Sequence, residues 1–294
     1  MNAARKNTFP LAKGIMLRLL NRNKSFVGLD IGSNTLKSVE LRLSRSDRVE
    51  LCGLGFEEIL PDCIVDGAIL TPDPVSESIR RIFSEQSIRN RRVSTSVAGH
   101  SVIVKKISLP LQRDEDLAES VRCEAERYIP FDIAEVNLDY QVLGENLRTG
   151  HFDILLAAAK KERIADYARV IRMAGKLPVT VDVDAFALQN AYEYNYESDT
   201  GNIVALLDIG ASTMTMHIVS GTDFLFTRDV AVGGNHYTEC IQKEFHLSHG
   251  QAQALKHGEE IGNIDSAKAR PVRECCNNPV RPPLCTAGNL NRHR

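Results

Sequence analysis

No apolar run in this chain approaches the roughly 18 residues needed to cross a bilayer, so no membrane-spanning helix is expected. Charge of one sign is not in excess either. The 36 Lys and Arg stand against 38 Asp and Glu, a formal net charge of −2, which gives no global reason to expect nucleic acid or an anionic surface as partner. Met1 to Lys13 carries basic residues but no long apolar core and no small-residue cleavage site, so a secretory leader is not expected. Cysteine is sparse: there are seven, and Cys52, Cys63, Cys123 and Cys240 have no metal-ligand spacing. Reduced thiols are the expectation. His236, His246, His249 and His257 lie near one another in sequence but lack a ligand pattern with Cys or carboxylate, so no metal is assigned to them. What remains is ordinary: 43% apolar and 25% charged residues in 294. That composition is a soluble globular protein of one large or two medium domains.

What the chain does have is one short phrase written twice. Val27-Gly-Leu-Asp-Ile-Gly-Ser-Asn-Thr-Leu-Lys37 returns as Ala205-Leu-Leu-Asp-Ile-Gly-Ala-Ser-Thr-Met-Thr215. Each copy follows an apolar run and precedes an alternating one, which reads as strand, tight turn, strand. The Gly lets the backbone fold close to a ligand. The small hydroxyl residues and free backbone N–H groups of the turn suit phosphate oxygens. The Asp at the strand end suits a metal ion reached through water. For one copy, a plain strand-end turn is the simpler reading. Two copies point to two related half-domains facing each other across a nucleotide cleft.

Strands are expected at Phe26–Ile31, Leu36–Leu43 and Val49–Glu57, a meander, followed by a helix with Val75, Ile79, Ile82 and Phe83 at helical spacing and Pro74 in its first turn. Val93–Ala98 and Val102–Leu109 read as strands. Gln112 to Tyr128 reads as an amphipathic helix that stops before Pro130. Val136–Leu143 and Phe152–Ala159 read as strands, Lys161–Ala174 as a helix ended by Gly175, Leu177–Val183 as a strand and Ala185–Tyr194 as a helix. The second hairpin starts at Ile203, with Phe224–Val230 as its third strand. Helices follow at Tyr237–Phe245 and Ser248–Lys256. The lead-in Leu17–Lys24 is basic and amphipathic, either a piece that touches lipid or an ordinary solvated segment. From Lys268 to Arg294 the character changes: four Pro (271, 279, 282, 283), Cys275-Cys276, Cys285, many Arg and no periodicity. Such a segment cannot bury a core. It is a natural disordered tail, a zinc knuckle on Cys275, Cys276, Cys285 and His293, or out-of-frame translation after a truncating lesion.

The two Asp-Ile-Gly hairpins resemble those of the actin-like ATPase superfamily. The stretches Val104–Pro110, Glu124–Phe131, Glu135–Leu143, Val181–Asn190 and Phe226–Asn235, in that order, resemble the PilM family of type IV pilus assembly proteins, continuously from about Met16 to Gly258. The resemblance implies an α/β, actin-like (ribonuclease H-like) two-lobed fold with an inserted α+β subdomain, as in FtsA. It divides the chain into a lead-in, 1–24; a first lobe, 25–91 with 178–202; the insert, 92–177; a partial second lobe, 203–264; and a tail, 265–294. Family members continue past the position of Gly258 to a Gly-rich adenosine-binding turn, so the second lobe is expected to be incomplete and the tail frameshifted. A cut second sheet would leave an unpaired edge and lower stability.

The resemblance also implies ATP and Mg²⁺ as ligands and the N-terminal cytoplasmic peptide of the inner-membrane protein PilN as partner, bound beside the insert. The protein would be cytoplasmic, peripheral to the inner membrane through its partners, and would serve pilus assembly and twitching motility. Asp30, Gly32, Ser33, Asn34, Thr35 and Lys37 match the first phosphate hairpin, and Asp208, Gly210, Ala211, Ser212 and Thr213 the second. Asp30 and Asp208 would hold Mg²⁺ through waters. Lys37 either neutralises phosphate or is solvated. Asp182 and Asp184 lie where actin-like enzymes orient water. Asp184 is either a general base or the cap of the helix after it. Hydrolysis, if any, would be slow, since no second water-activating group or arginine finger is evident. Ile129, Pro130 and Phe131 are the expected exposed apolar contacts for the peptide, unless Phe131 packs back onto its own core. The competing readings are an ATP-hydrolysing enzyme such as a sugar kinase, which needs a complete second lobe, and an FtsA-like filament protein, which needs a C-terminal amphipathic helix that the Pro-rich tail argues against.

Overall fold

A computed structural model describes residues 25–44, 48–146, 148–196 and 201–261. The expected lead-in and tail therefore lie outside the described residues. In chain order the elements are β1 Ser25–Ile31, β2 Thr35–Leu43, β3 Val49–Glu58, β4 Ile64–Val65, β5 Ala68–Ile69, α1 Pro72–Glu85, β6 Arg92–Val97, β7 Val102–Pro110, α2 Asp114–Ala125, β8 Val136–Asn146, β9 His151–Lys160, α3 Lys161–Met173, β10 Leu177–Val183, α4 Asp184–Asn195, β11 Ile203–Ile209, β12 Met214–Ser220, β13 Asp223–Val230, α5 Gly234–Phe245 and α6 His249–Lys256.

Alternation in β1 turns Val27, Leu29 and Ile31 to one face and leaves Gly28 and Asp30 on the other. β1, β2 and β3 form the expected antiparallel meander, while β6 and β10 add parallel strands beyond β1, giving the order β10-β6-β1-β2-β3. The apolar stripes of α1 (Val75, Ile79, Ile82, Phe83) and α3 (Tyr167, Val170, Ile171) cover the Val27 face and make the main core. α3 ends at Gly175, whose φ of +75° suits glycine, and Lys176 N–H closes the last turn on the Ile171 carbonyl.

Between β6 and β10 the chain builds a second, self-contained layer. The antiparallel sheet β7-β9-β8 is covered by α2 through Leu117, Val121 and Ala125, which pack on Ile107, Ile154 and Leu156. α2 is shorter at both ends than the sequence suggests, and Tyr128 lies beyond it, partly exposed. Ile129 corrects an expectation. It is only 5% exposed and belongs to this core, because the chain leaving α2 turns back under the sheet. Phe131 is half-buried against the same core, with the Lys160 ammonium 4.1 Å over its ring. Pro130 alone of the three is exposed.

β11, β12 and β13 form a three-stranded sheet. The described chain divides into two compact units: one holds the residues up to Asp208 together with Thr215–Val230, the other Ile209–Met214 and the residues from Ala231. In the second unit α5 and α6 pack through Ile241, Ala252 and Leu255. A capping box between Ser248 and Gln251 starts α6. Cys52, Cys63 and Cys123 are free thiols, as expected; Cys240 departs from that expectation and is disulfide-bonded.

Candidate functional site

Asp30 and Lys37 sit opposite one another across the β1–β2 hairpin, and the Lys37 ammonium meets the Asp30 carboxylate at 2.7 Å. Both are half-exposed, so the pair adds little stability. Its value is orientation: Lys37 points at the strand end rather than away from it. Burial alone would lower the Lys37 pKa. The hydrogen bond to Asp30 and the charges of Asp30, Asp208 and Asp184 together outweigh that and hold it above its ordinary value.

Asp184 is the first residue of α4. Val183 occupies the cap position without a side-chain cap bond, so Asp184 does not cap its own helix; it lies in the first turn, where a carboxylate gains from the helix dipole. Burial pushes its carboxyl up to about 6, and the nearby charges of Asp30, Asp208 and Asp229 push the same way against a hydrogen bond from Ser96. The first unit thus brings Asp30, Lys37, Asp184 and Asp208 together. Asp182, two residues back on β10, is in a different setting. Burial raises its pKa, and its Oδ1 accepts the Val183 N–H at 2.8 Å, which lowers it.

The repeated glycines have one shared cause. A Cβ on Gly32 would stand 2.8 Å from the Thr35 carbonyl oxygen, and one on Gly210 would stand 3.0 Å from that of Thr213. The first turn would have to shift to admit a side chain there, and the second leaves one only a tight contact. In the first, Asn34 O accepts the Ile59 N–H at 2.9 Å, and Ser33, Asn34 and Thr35 stay half-exposed. In the second, Gly210 N–H donates to Thr213 O at 2.9 Å. Its Gly210 and Ala211 carbonyls accept the Gly234 and Asn235 N–H groups at the start of α5, at 2.9 and 2.8 Å. Ser212 Oγ lies 3.5 Å from Asn235 Nδ2.

Asp229 is a member of the site that sequence reasoning missed. One of its oxygens accepts the Gly99 N–H and the other the Thr215 hydroxyl, each at 2.6 Å. It thereby ties the β6–β7 connection, at the root of the inserted layer, to β12. The available signal is an acid on a strand whose alternation turns it inward.

Two cavities adjoin these residues in the first unit. One, of about 690 Å³, lies on the open face of the large sheet beside Phe26, Leu41, Phe56, Asp30, Lys37 and α4. The other, of about 230 Å³, is a groove between the inserted sheet (Tyr140, Gln141, Leu155, Ala157) and the β10–α4 junction (Val181, Phe186). Among the described residues no three of His, Cys, Asp and Glu converge to ligate a metal directly. Asp30, Asp184 and Asp208 are hard oxygen donors, the chemical type that suits a hydrated divalent cation.

The fold and its repeated acidic hairpin define a PilM-type actin-like α/β protein. The family model described as Type IV pilus assembly protein PilM matches residues 28–268, and the chain belongs to that family. It is similar to the solved PilM-PilN type IV pilus biogenesis complex, at 28% identity and a TM-score of 0.74 over 87% of this chain and 74% of that one. More distant structures include the ethanolamine utilization protein EutJ from Carboxydothermus hydrogenoformans (12% identity, TM-score 0.48, 87% of this chain and 66% of that one). Another is the cytoplasmic domain of EpsL, an inner-membrane component of the type II secretion system of Vibrio cholerae (12% identity, TM-score 0.47, 77% and 79%). As a PilM family member the protein has a role in type IV pilus assembly.

Proposed function

We propose that this chain is a nucleotide-binding scaffold that joins the cytoplasmic side of the pilus machine to PilN, with Mg²⁺·ATP as a conformational ligand. The observation that carries the reading is the convergence of Asp30, Lys37, Asp184 and Asp208 at strand and helix ends. Asp30 and Asp208 would hold Mg²⁺ through waters. Gly32, Ser33, Asn34, Thr35 and Lys37 offer donors and charge to phosphate oxygens at the first turn. When bound, the metal would offset phosphate charge. Asp184, partly buried and ionised above about pH 6, can accept a proton from a water molecule. That same feature favours the second reading, a slow ATPase.

The PilN N-terminal peptide would lie in the 230 Å³ groove between the inserted sheet and the β10–α4 junction. β8 is an outer strand of that sheet among the described residues, an edge to which an extended segment can add. Ala157 lines the groove with only a methyl group. Ala157→Glu is expected to weaken binding of a labelled PilN peptide at least about tenfold while leaving Mg²⁺·ATP titration unchanged. Unaltered peptide affinity would place the peptide elsewhere.

A further inference from the structure

The parallel strands of the first unit carry opposite charge at their two ends. β1, β6 and β10 run the same way, so their C-terminal ends share one edge, with Asp30 and the β10–α4 junction carrying Asp184. The N-terminal ends share the other. There Arg92 pairs with Leu177 across the sheet, and the Leu177 N–H donates to the Arg91 carbonyl at 2.7 Å. The Arg91 guanidinium reaches the Gly175 carbonyl at 2.9 Å. Arg89 stands exposed in the loop before, and Arg172 in the last turn of α3. Lys176 lies 3.9 Å over the Phe83 ring, and its pKa is lowered, first by burial and then by the charge of Arg91.

None of these five bases makes an ion pair with a carboxylate among the described residues. In their midst Leu177 is 53% exposed. Asn90 holds the Ser25 carbonyl, so the chain enters β1 at this same edge, directly after the basic run Leu17–Lys24. The overall charge of −2 conceals this asymmetry.

We propose that this edge docks directly onto an anionic lipid bilayer. Unpaired guanidinium and ammonium groups on loops and strand ends match a sheet of headgroup phosphates. A bare leucine among them has a place in the acyl boundary and none in a purely polar partner. The contact is separate from the nucleotide and peptide sites and does not depend on them.

The test is co-sedimentation of the full chain with phosphatidylcholine vesicles, with and without about 30% phosphatidylglycerol, at low and high salt. The chain should bind only the anionic vesicles and be released by salt. The triple variant Arg89→Ala, Arg92→Ala, Arg172→Ala removes three charges that hold no structural bond, and should bind roughly a hundredfold more weakly. The control Arg122→Ala, Arg148→Ala, Lys243→Ala should bind like the parent. Should the triple variant melt early, Arg89→Ala and Arg172→Ala singly should each cost about fivefold. Equal binding to neutral vesicles, a triple variant no weaker than the control, or retention on a DNA duplex without retention on vesicles would overturn the proposal.

Discussion

Burial pushes the Asp184 carboxyl up to about 6 and the His217 imidazole down to about 4. The two shifts act on stability with opposite sign. Asp184 binds its proton more tightly folded than unfolded, so its contribution is full below about pH 4 and is lost as pH rises through 6, about 3 kcal/mol in all. His217, fully buried with Nε2 against Gln189 at 2.8 Å, is neutral in the fold. Its contribution is present above about pH 6.5 and is lost as pH falls toward 4, by a similar amount. The parent should therefore have a nearly flat stability profile across this window. Asp184→Asn should be more stable at pH 8 by up to about 3 kcal/mol, little changed near pH 4, and steeply pH-dependent between, because the His217 slope is then unopposed. Urea melts at three pH values read this directly; an equal gain at every pH would contradict it. Asp229 has a different job. Its carboxylate is the shared acceptor for Gly99 N–H and Thr215 hydroxyl, so Asp229→Ala strands two donors and should cost about 2–3 kcal/mol in chemical denaturation. A loss under about half a kcal/mol would mean water replaces it without penalty.

At the scale of elements, the second turn and α5 are fitted to each other by absence. A Cβ on Gly233 would lie 2.5 Å from the Ala211 carbonyl oxygen and 2.6 Å from that of Gly210, both backbone atoms that cannot swing aside. Its φ of −153° is extended, so the obstacle is contact alone. Gly233→Ala should cost about 1–3 kcal/mol by displacing α5 from the turn. Gly250→Ala, in α6 with nothing within 4 Å, should be neutral or better, and thermal melts of the pair distinguish the two.

Which elements could be read in advance follows from how they are specified. β1, β2, β3, α1 and α3 carry long apolar periodicities; the three strands and α3 lie within a residue or two of their expected spans, and α1 buries the four apolar positions expected of it. The β4–β5 hairpin has two residues per strand, too short for any period, and it escaped notice. α2 was read too long because its flanks are polar and helix-tolerant, and nothing in sequence marks where tertiary contact stops. Ile129 was read as exposed because it abuts a Pro turn; only the packing of the inserted sheet determines that it turns inward. The repeated hairpin was legible because both glycines face the carbonyl three residues on, a short-range contact, whereas Asp229 answers partners 130 and 14 residues away.

At the scale of the whole molecule, the chain is two compact units with the acidic group assembled within the first. Thr215–Val230, which the sequence assigns to the second lobe, clusters with that first unit. One sheet end gathers carboxylates and the other gathers bases. In the proposed reading a nucleotide, a peptide and a bilayer meet separate surfaces of the first unit.

The central claim is that Asp30 and Asp208 serve a common metal-nucleotide ligand. Isothermal titration of Mg²⁺·ATP into the parent, Asp30→Ala and Asp208→Ala tests it most directly. Saturable 1:1 binding by the parent, weakened at least about tenfold in each variant and abolished by chelating the metal, is the expected result. No heat from the parent, or equal affinity in all three proteins, would contradict it.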